Sequence, residues 1–227
     1  MNLIRQLLEQ KLATLGAVII ILVTIISIFA PLFAPFPPDE QFFEGLTLEG
    51  APLPPNSQFW LGTDLLGRDL LSRLIYGSQT SLIIGVFANG IAVFIGALVG
   101  ITAGFYQGWI GTILMRFTDL MMAFPALLLA IVLAAIFTPS LWIVVMVIAM
   151  VNWVQIARVI YTETLALSAR DFIEAERAIG ASKSRILFCH LLPHLVPSLM
   201  VWGTLGVATT VLLEATLSFL GIGVQPP

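Results

Sequence analysis

From Leu74 to Met115 no residue carries a formal charge, and the same holds for Leu120–Ala157 and Ile186–Leu213. Uncharged runs of this length leave few folds open. About 20 apolar residues in helical form cross a hydrocarbon core of ~30 Å, whereas a membrane barrel strand alternates polar and apolar side chains. The composition agrees: 59% of the 227 residues are hydrophobic and 10% charged, with a mean hydropathy of +1.01, against roughly 25% charged in soluble domains. The expected fold is all-α, a polytopic membrane helix bundle in a lipid bilayer. The net charge of −3 says little about partners because the charges sit in loops, and no nucleic-acid partner is expected.

The gaps in charge map the spans. Leu12–Phe33 is too long for a cleaved signal and is read as a retained first span, ending at Ala30-Pro31 ahead of Pro35, Pro37 and Pro38. Residues 81–105 form the second. Thr138-Pro139-Ser140 divides the next run into spans at 120–137 and 141–160, and 197–219 is the fifth. Orientation follows from the basic residues. With a cytoplasmic N-terminus, Arg5, Lys11, Arg116, Arg158, Arg170, Arg177, Lys183 and Arg185 all lie inside. Only Arg68 and Arg73 then lie outside, in a loop at 34–77 that also holds six acids. That bias is the positive-inside rule, so the expected placement is a multi-pass cell (inner or plasma) membrane protein with a single transmembrane domain over 1–227.

One segment departs from this apolar pattern. Between Ala169 and Pro193 stand Arg170, Asp171, Glu174, Glu176, Arg177, Lys183 and Arg185, charges that are costly inside a bilayer. Leu165, Phe172, Ile173, Ala175 and Ile179 mix with them as on an amphipathic surface helix. Gly180 falls at a helix C-cap position, Ser182 or Ser184 can cap a second helix, and Leu192-Pro193 is expected to kink it. Helix, glycine corner, helix is one reading; an ordinary solvated loop is the other. The expected cytoplasmic loop spans 161–193.

Glu174-Ala175-Glu176, three residues, Gly180, nine residues, His190, one residue and Leu192-Pro193 resembles the EAA loop of ABC importer permeases. Glu176 stands where that motif has a second alanine and His190 where it has isoleucine; histidine there resembles the peptide and nickel importer subgroup. Leu61-Gly62-Thr63-Asp64-Leu65-Leu66-Gly67-Arg68-Asp69 is similar to the signature that follows the first span in C-type subunits of the dipeptide/oligopeptide permeases. Met115-Arg116 to Asp119, Ala123-Phe124-Pro125, and Glu214-Ala215 through Ser218-Phe219-Leu220-Gly221-Ile222-Gly223 also resemble that family. The resemblance implies a type I ABC importer fold of six spans, with the sixth expected beyond the five in this chain.

The resemblance further implies partners: a second, B-type permease subunit, two ABC ATPase subunits and an extracytoplasmic substrate-binding protein. The chain has no G-x-x-x-x-G-K-S/T phosphate loop, so ATP and Mg belong to the ATPases, with no cofactor expected here. Glu174, Ala175, Glu176, Gly180, His190, Leu192 and Pro193 would form the ATPase-coupling loop. Substrates implied are di- or oligopeptides, with nickel as the alternative. A non-ABC membrane enzyme or channel is the competing class, but no nucleophile set or selectivity-filter segment supports it.

Four features carry bland and functional readings side by side. Gly96, Gly100 and Gly104 form a small-residue stripe, for packing within the subunit or against the partner permease. Glu214 is an intramembrane acid that faces the pore or pairs with a neighbouring helix. His190 and His194 beside Cys189 superficially suggest a metal site, but no nearby carboxylate completes one, and none is expected. Asp64, Arg68 and Asp69 either contact a binding protein or pair with one another to fix their loop.

Overall fold

The computed structural model describes residues 9–138 and 140–224. Arg5, Pro139 of the expected turn and Gln225-Pro226-Pro227 lie outside the described residues. Among those described, helices dominate and extended pairing is limited to two isolated bridges, Leu46 with Pro52 and Thr63 with Asp69. Four helices are long and apolar enough to cross a membrane, and five spans result when one bent pair is counted as one. The chain divides into two compact units, 1–83 and 84–225.

In the first unit, α1 (Lys11–Ile28) runs into the short α2 (Ala30–Phe33). Only Ser27 of α1 is buried, and its hydroxyl meets that of Ser78 at 2.8 Å. Leu12, Leu15, Val18, Ile19, Ile20, Ile21 and Leu22 are exposed, a surface suited to lipid rather than water. The following loop is ordered around Phe36, Phe42 and Phe59, whose ring centroids lie 4.9–5.7 Å apart, a spacing typical of favourable aromatic pairs. A 3-10 turn at Phe43–Gly45 completes this cap before α3 (Leu70–Tyr106) begins.

The second unit is built around α6 (Leu141–Ser168), which buries thirteen residues including Val145, Ile148, Ala157 and Ile160. Ser140 caps its start by accepting from the Ile143 N–H at 3.3 Å. Ahead of it, α4 (Gly108–Met122) and α5 (Ala126–Ile136) are bent by 84°. Pro125 explains the break, since proline disfavours helical backbone at the preceding residue. The charged ends of the uncharged run 120–157 come together here: Arg158 pairs with Asp119.

The glycine stripe of α3 faces α6. A Cβ on Gly96 would stand 2.7 Å from Ile156, one on Gly100 2.6 Å from the Ala157 carbonyl, and one on Gly104 2.7 Å from Thr164. Only hydrogen fits, so the two backbones approach closely. The last helix, α9 (Leu192–Phe219), is tied in by polar contacts. Asn89 of α3 donates to the Gly203 carbonyl at 2.6 Å, and Asn152 of α6 donates to Thr210 at 3.1 Å. In a medium without competing water such bonds fix register as well as contact.

Candidate functional site

The segment after α6 folds as a second short helix laid across the foot of α9. Its helix, α7 (Asp171–Ala178), carries Asp171 and Glu174 in the first turn and Arg177 in the last, each sign where the helix dipole favours it. Gly180 ends it with φ +81°. Its N–H donates to the Arg177 carbonyl at 3.1 Å and the Ala181 N–H donates to Glu176 at 3.0 Å. This pair of bonds is a Schellman motif, which needs a left-handed residue at that position. Ser182 then accepts from the Arg185 N–H at 3.3 Å and starts α8 (Lys183–Arg185).

From Ile186 to Leu191 the chain is π-helical before it continues as α9. Where a kink is expected at Leu192-Pro193, this wide turn stands immediately ahead of the proline. Pro193 has no N–H and its ring crowds the carbonyl four residues back, so the wider turn relieves an α-helical conflict.

Beneath α7 lies a small apolar core of Ile173, Ile186, Leu191 and Phe105, with Phe172, Ala181 and Leu187 at its edge. The outer face of the knuckle is open: Ile179 is 78% exposed, Glu174, Ala175 and Pro193 are also exposed, and Leu192 is half-buried. Nothing lies within 4 Å of a Cβ placed on Gly180. Glu176 and His190, the two departures from the motif, meet in space: Oε1 and Nε2 are 3.3 Å apart. Lys183 sits over the Tyr106 ring at 5.6 Å, a cation–π contact.

His194 is engaged locally. Its Nδ1 donates to the His190 carbonyl at 2.7 Å and its ring stacks on Phe172 at 5.4 Å. Cys189 is exposed. Among the described residues no group of three or more His, Cys, Asp and Glu is arranged to hold a metal. Glu214, in α9, is buried and accepts from the Ser218 hydroxyl at 2.7 Å.

The loop signature at 61–69 lies in the other unit, and the structure gives its members local bonds. Gly62 and Gly67 have φ of +80° and +73°. Thr63 donates to the Gly45 carbonyl at 2.6 Å and accepts from the Leu53 N–H at 2.8 Å. Asp64 accepts from the backbone of Leu66 (2.9 Å) and Arg68 (3.0 Å) and from Arg68 Nε (2.8 Å), and it also pairs with Arg73. Asp69 does not pair with Arg68. It caps α3, accepting from the Ser72 N–H and hydroxyl at 2.8 and 2.6 Å, and Ser72 in turn accepts from the Phe36 N–H at 3.1 Å.

Burial alone would raise the Asp64 carboxyl, but the backbone N–H groups of Arg68 and Leu66 and the Arg68 guanidinium outweigh it and hold the group below its ordinary value of 3.8. A depressed folded value means stabilisation that is fully present above pH 3.8 and lost as pH falls through the folded value. Hydrogen exchange in residues 61–69 is therefore expected to be flat from pH 8 to 5, after correction for intrinsic rates, and to rise only below about 3.8. Asp64→Asn should abolish that acid step. An acid step retained in the variant would assign it to another group.

A helical chain with apolar spans, a bonded loop after the first of them and a charged knuckle leading into α9 defines a polytopic membrane protein. The chain belongs to the family of binding-protein-dependent transport system inner membrane components, whose model matches residues 92–227. A second model, the N-terminal TM domain of oligopeptide transport permease C, matches residues 2–55. The chain is 39% identical over 228 residues to a dipeptide transport system permease protein of Alkalihalophilus pseudofirmus, covering 98% of this chain and 72% of that one. A glutathione transport system permease protein of Escherichia coli is 40% identical, at 98% and 72% coverage. A di/tripeptide transport system permease protein of Pseudomonas aeruginosa is 40% identical, at 96% and 73%. The protein is thus a multi-pass inner-membrane permease subunit, and its relatives are permease proteins of transport systems.

Proposed function

We propose that this chain forms half of the transmembrane pathway of an ATP-driven importer of di- or oligopeptides. The relatives' names supply the substrate class: dipeptides, di- and tripeptides, and glutathione, itself a tripeptide. None of these names specifies nickel. A second, B-type permease completes the pathway, an extracytoplasmic binding protein delivers the peptide, and two ATPases hydrolyse ATP with Mg. This subunit needs no cofactor of its own.

In this reading the N-terminus and the 161–193 segment face the cytoplasm, as the distribution of lysine and arginine favours. The observation that carries it is the knuckle: a short charged helix, ended by a left-handed glycine and held over an apolar base, with Glu174, Ala175 and Ile179 exposed. Such a helix fits a groove on an ATPase, and rigid-body displacement of the docked helix moves the spans. Glu174 and Ala175 lie on the outer surface of α7, and Gly180, Leu192 and Pro193 shape the corner and the return to the membrane. Gly62, Thr63, Asp64, Gly67, Arg68 and Asp69 shape the extracytoplasmic loop at 34–77, and the Gly96-Gly100-Gly104 stripe packs the spans. Glu214 fixes the outer part of α9.

The test is ligand-stimulated ATP hydrolysis by the reconstituted four-subunit complex with its binding protein. Dialanine and trialanine are expected to raise the rate severalfold, and Ni2+ to leave it at the basal level. Stimulation by Ni2+ alone would overturn the peptide assignment.

A further inference from the structure

We propose that Glu176 and His190 act as a strut that positions α7 on the foot of α9 and passes its displacement to that helix. The inference rests on the reading of α7 as the ATPase-docking helix.

The two residues lie on different elements, Glu176 on α7 and His190 in the π-helical turn that leads into α9. The covalent link between those elements is thin. It runs through Gly180, with open space around it, and the exposed Ser182. What else joins them is mostly apolar: Ile173 against Ile186 and Leu191, and Phe172 stacked on His194. Apolar contact is non-directional, so it holds α7 down but resists sliding poorly. A polar pair at fixed separation supplies the missing direction.

The pair has the geometry of a contact that changes between states. Oε1 and Nε2 are 3.3 Å apart, with side chains only 20% and 26% exposed. They meet at ion-pair distance but off the line of a hydrogen bond, and Glu176 Oε2 and His190 Nε2 are sealed from solvent without an aligned partner. An unsatisfied buried polar atom is costly, and aligning it recovers that cost. A small shift of α7 over the π-helical turn either completes the bond or breaks it, so the pair has something to gain in one arrangement and to lose in the other.

The sequence points the same way. The EAA motif this segment resembles has alanine and isoleucine at these two places, both apolar. Here both have become polar, with complementary charge capacity. Either change alone would leave a half-buried polar group facing an apolar one.

The experiment uses the complete complex in proteoliposomes, with binding protein and radiolabelled trialanine, and reads peptide taken up per ATP hydrolysed and ATPase subunits retained on purification. Glu176→Gln and His190→Ala are each expected to lower uptake per ATP roughly three- to ten-fold, with both ATPases still bound. Their combination should cost no more than either alone. His190→Lys, which places a cation facing Glu176, and the double replacement Glu176→Ala with His190→Ile, which puts an apolar pair at the same two places, should both recover most of the coupling. A purely structural role would give losses that add and no such recovery. Wild-type coupling in both single variants, or additive losses, would overturn the strut. Failure of the wild-type complex to retain ATPases, or crosslinks from Ile179 only to other proteins, would instead overturn the docking reading on which the strut rests.

Discussion

Gly180→Val is expected to leave ATP hydrolysis running in the assembled importer while peptide uptake falls about tenfold, a separation of populations worth about 1.4 kcal/mol. The reason is conformational. Gly180 sits at φ +81°, where a residue with a Cβ loses roughly 1–2 kcal/mol and a β-branched one fares worst. Space is not the issue, since nothing lies within 4 Å of a Cβ there. Valine would push the corner out of the left-handed region and break the two bonds to Arg177 and Glu176 that end α7. If α7 docks as proposed, it would then still be able to engage an ATPase, but with its hinge to α8 and α9 misdirected. Gly180→Asn serves as the control, because asparagine tolerates this backbone region and should keep most of the uptake. Parallel measurement of ATP hydrolysis and trialanine uptake decides the matter. Full uptake by the valine variant sinks the proposal that this corner couples hydrolysis to transport.

Gly100→Leu should have the largest effect on the folded state. A Cβ at Gly100 already stands 2.6 Å from the Ala157 carbonyl and 2.9 Å from the Tyr161 nitrogen, and backbone atoms of a central helix have nowhere to go. Leucine must therefore part α3 from α6. Overpacking of well-fitted cores costs about 1–3 kcal/mol, and here the separation also strips contacts from Ile156 and Ile160, which are buried in the same interface. Thermal unfolding in detergent should drop by several degrees or the protein should fail to accumulate. Gly90→Leu, at a position with nothing within 4 Å, should unfold at the wild-type temperature. An unshifted midpoint for Gly100→Leu would mean that the stripe does not set the α3–α6 distance.

The sequence made the helical membrane class legible because absence of charge over a long run is a local signal that needs no partner. The same holds for Gly180, where residue type alone announces a helix end, while residue type offers both Ser182 and Ser184 as the helix start and only the bond from the Arg185 N–H places it at Ser182. The sequence places the division of the run 120–157 at Thr138-Pro139-Ser140, whereas the 84° bend lies earlier, ahead of Ala126; an unbroken apolar run masks it, and its angle depends on what α4 and α5 pack against. Asp69 looked like a loop acid, and its capping role becomes visible only once α3 is known to start at Leu70. Arg158 and Asp119 flank an uncharged run, a clue that they end on one level, but their pairing required the bend between α4 and α5. The meeting of Glu176 with His190 was out of reach for a different reason. It depends on the rotational setting of the turn carrying His190, and single-sequence periodicity assumes an α-helix throughout.

That turn has a bearing on how the last helix tolerates change in length. A π-type ring closes between residues five apart, one more than in an α-helix, so Ile186–Leu191 absorbs an extra residue. Deleting any one of them would let the chain wind as a uniform α-helix and leave the residues beyond Leu192 facing as they do, whereas the same deletion between Leu195 and Val201 would turn everything after it through about 100°. Only the second would part Asn89 from the Gly203 carbonyl and Asn152 from Thr210 together. Slack in the facing of this helix is thus gathered in a single loose coil at its base, rather than spread along the residues that depend on it.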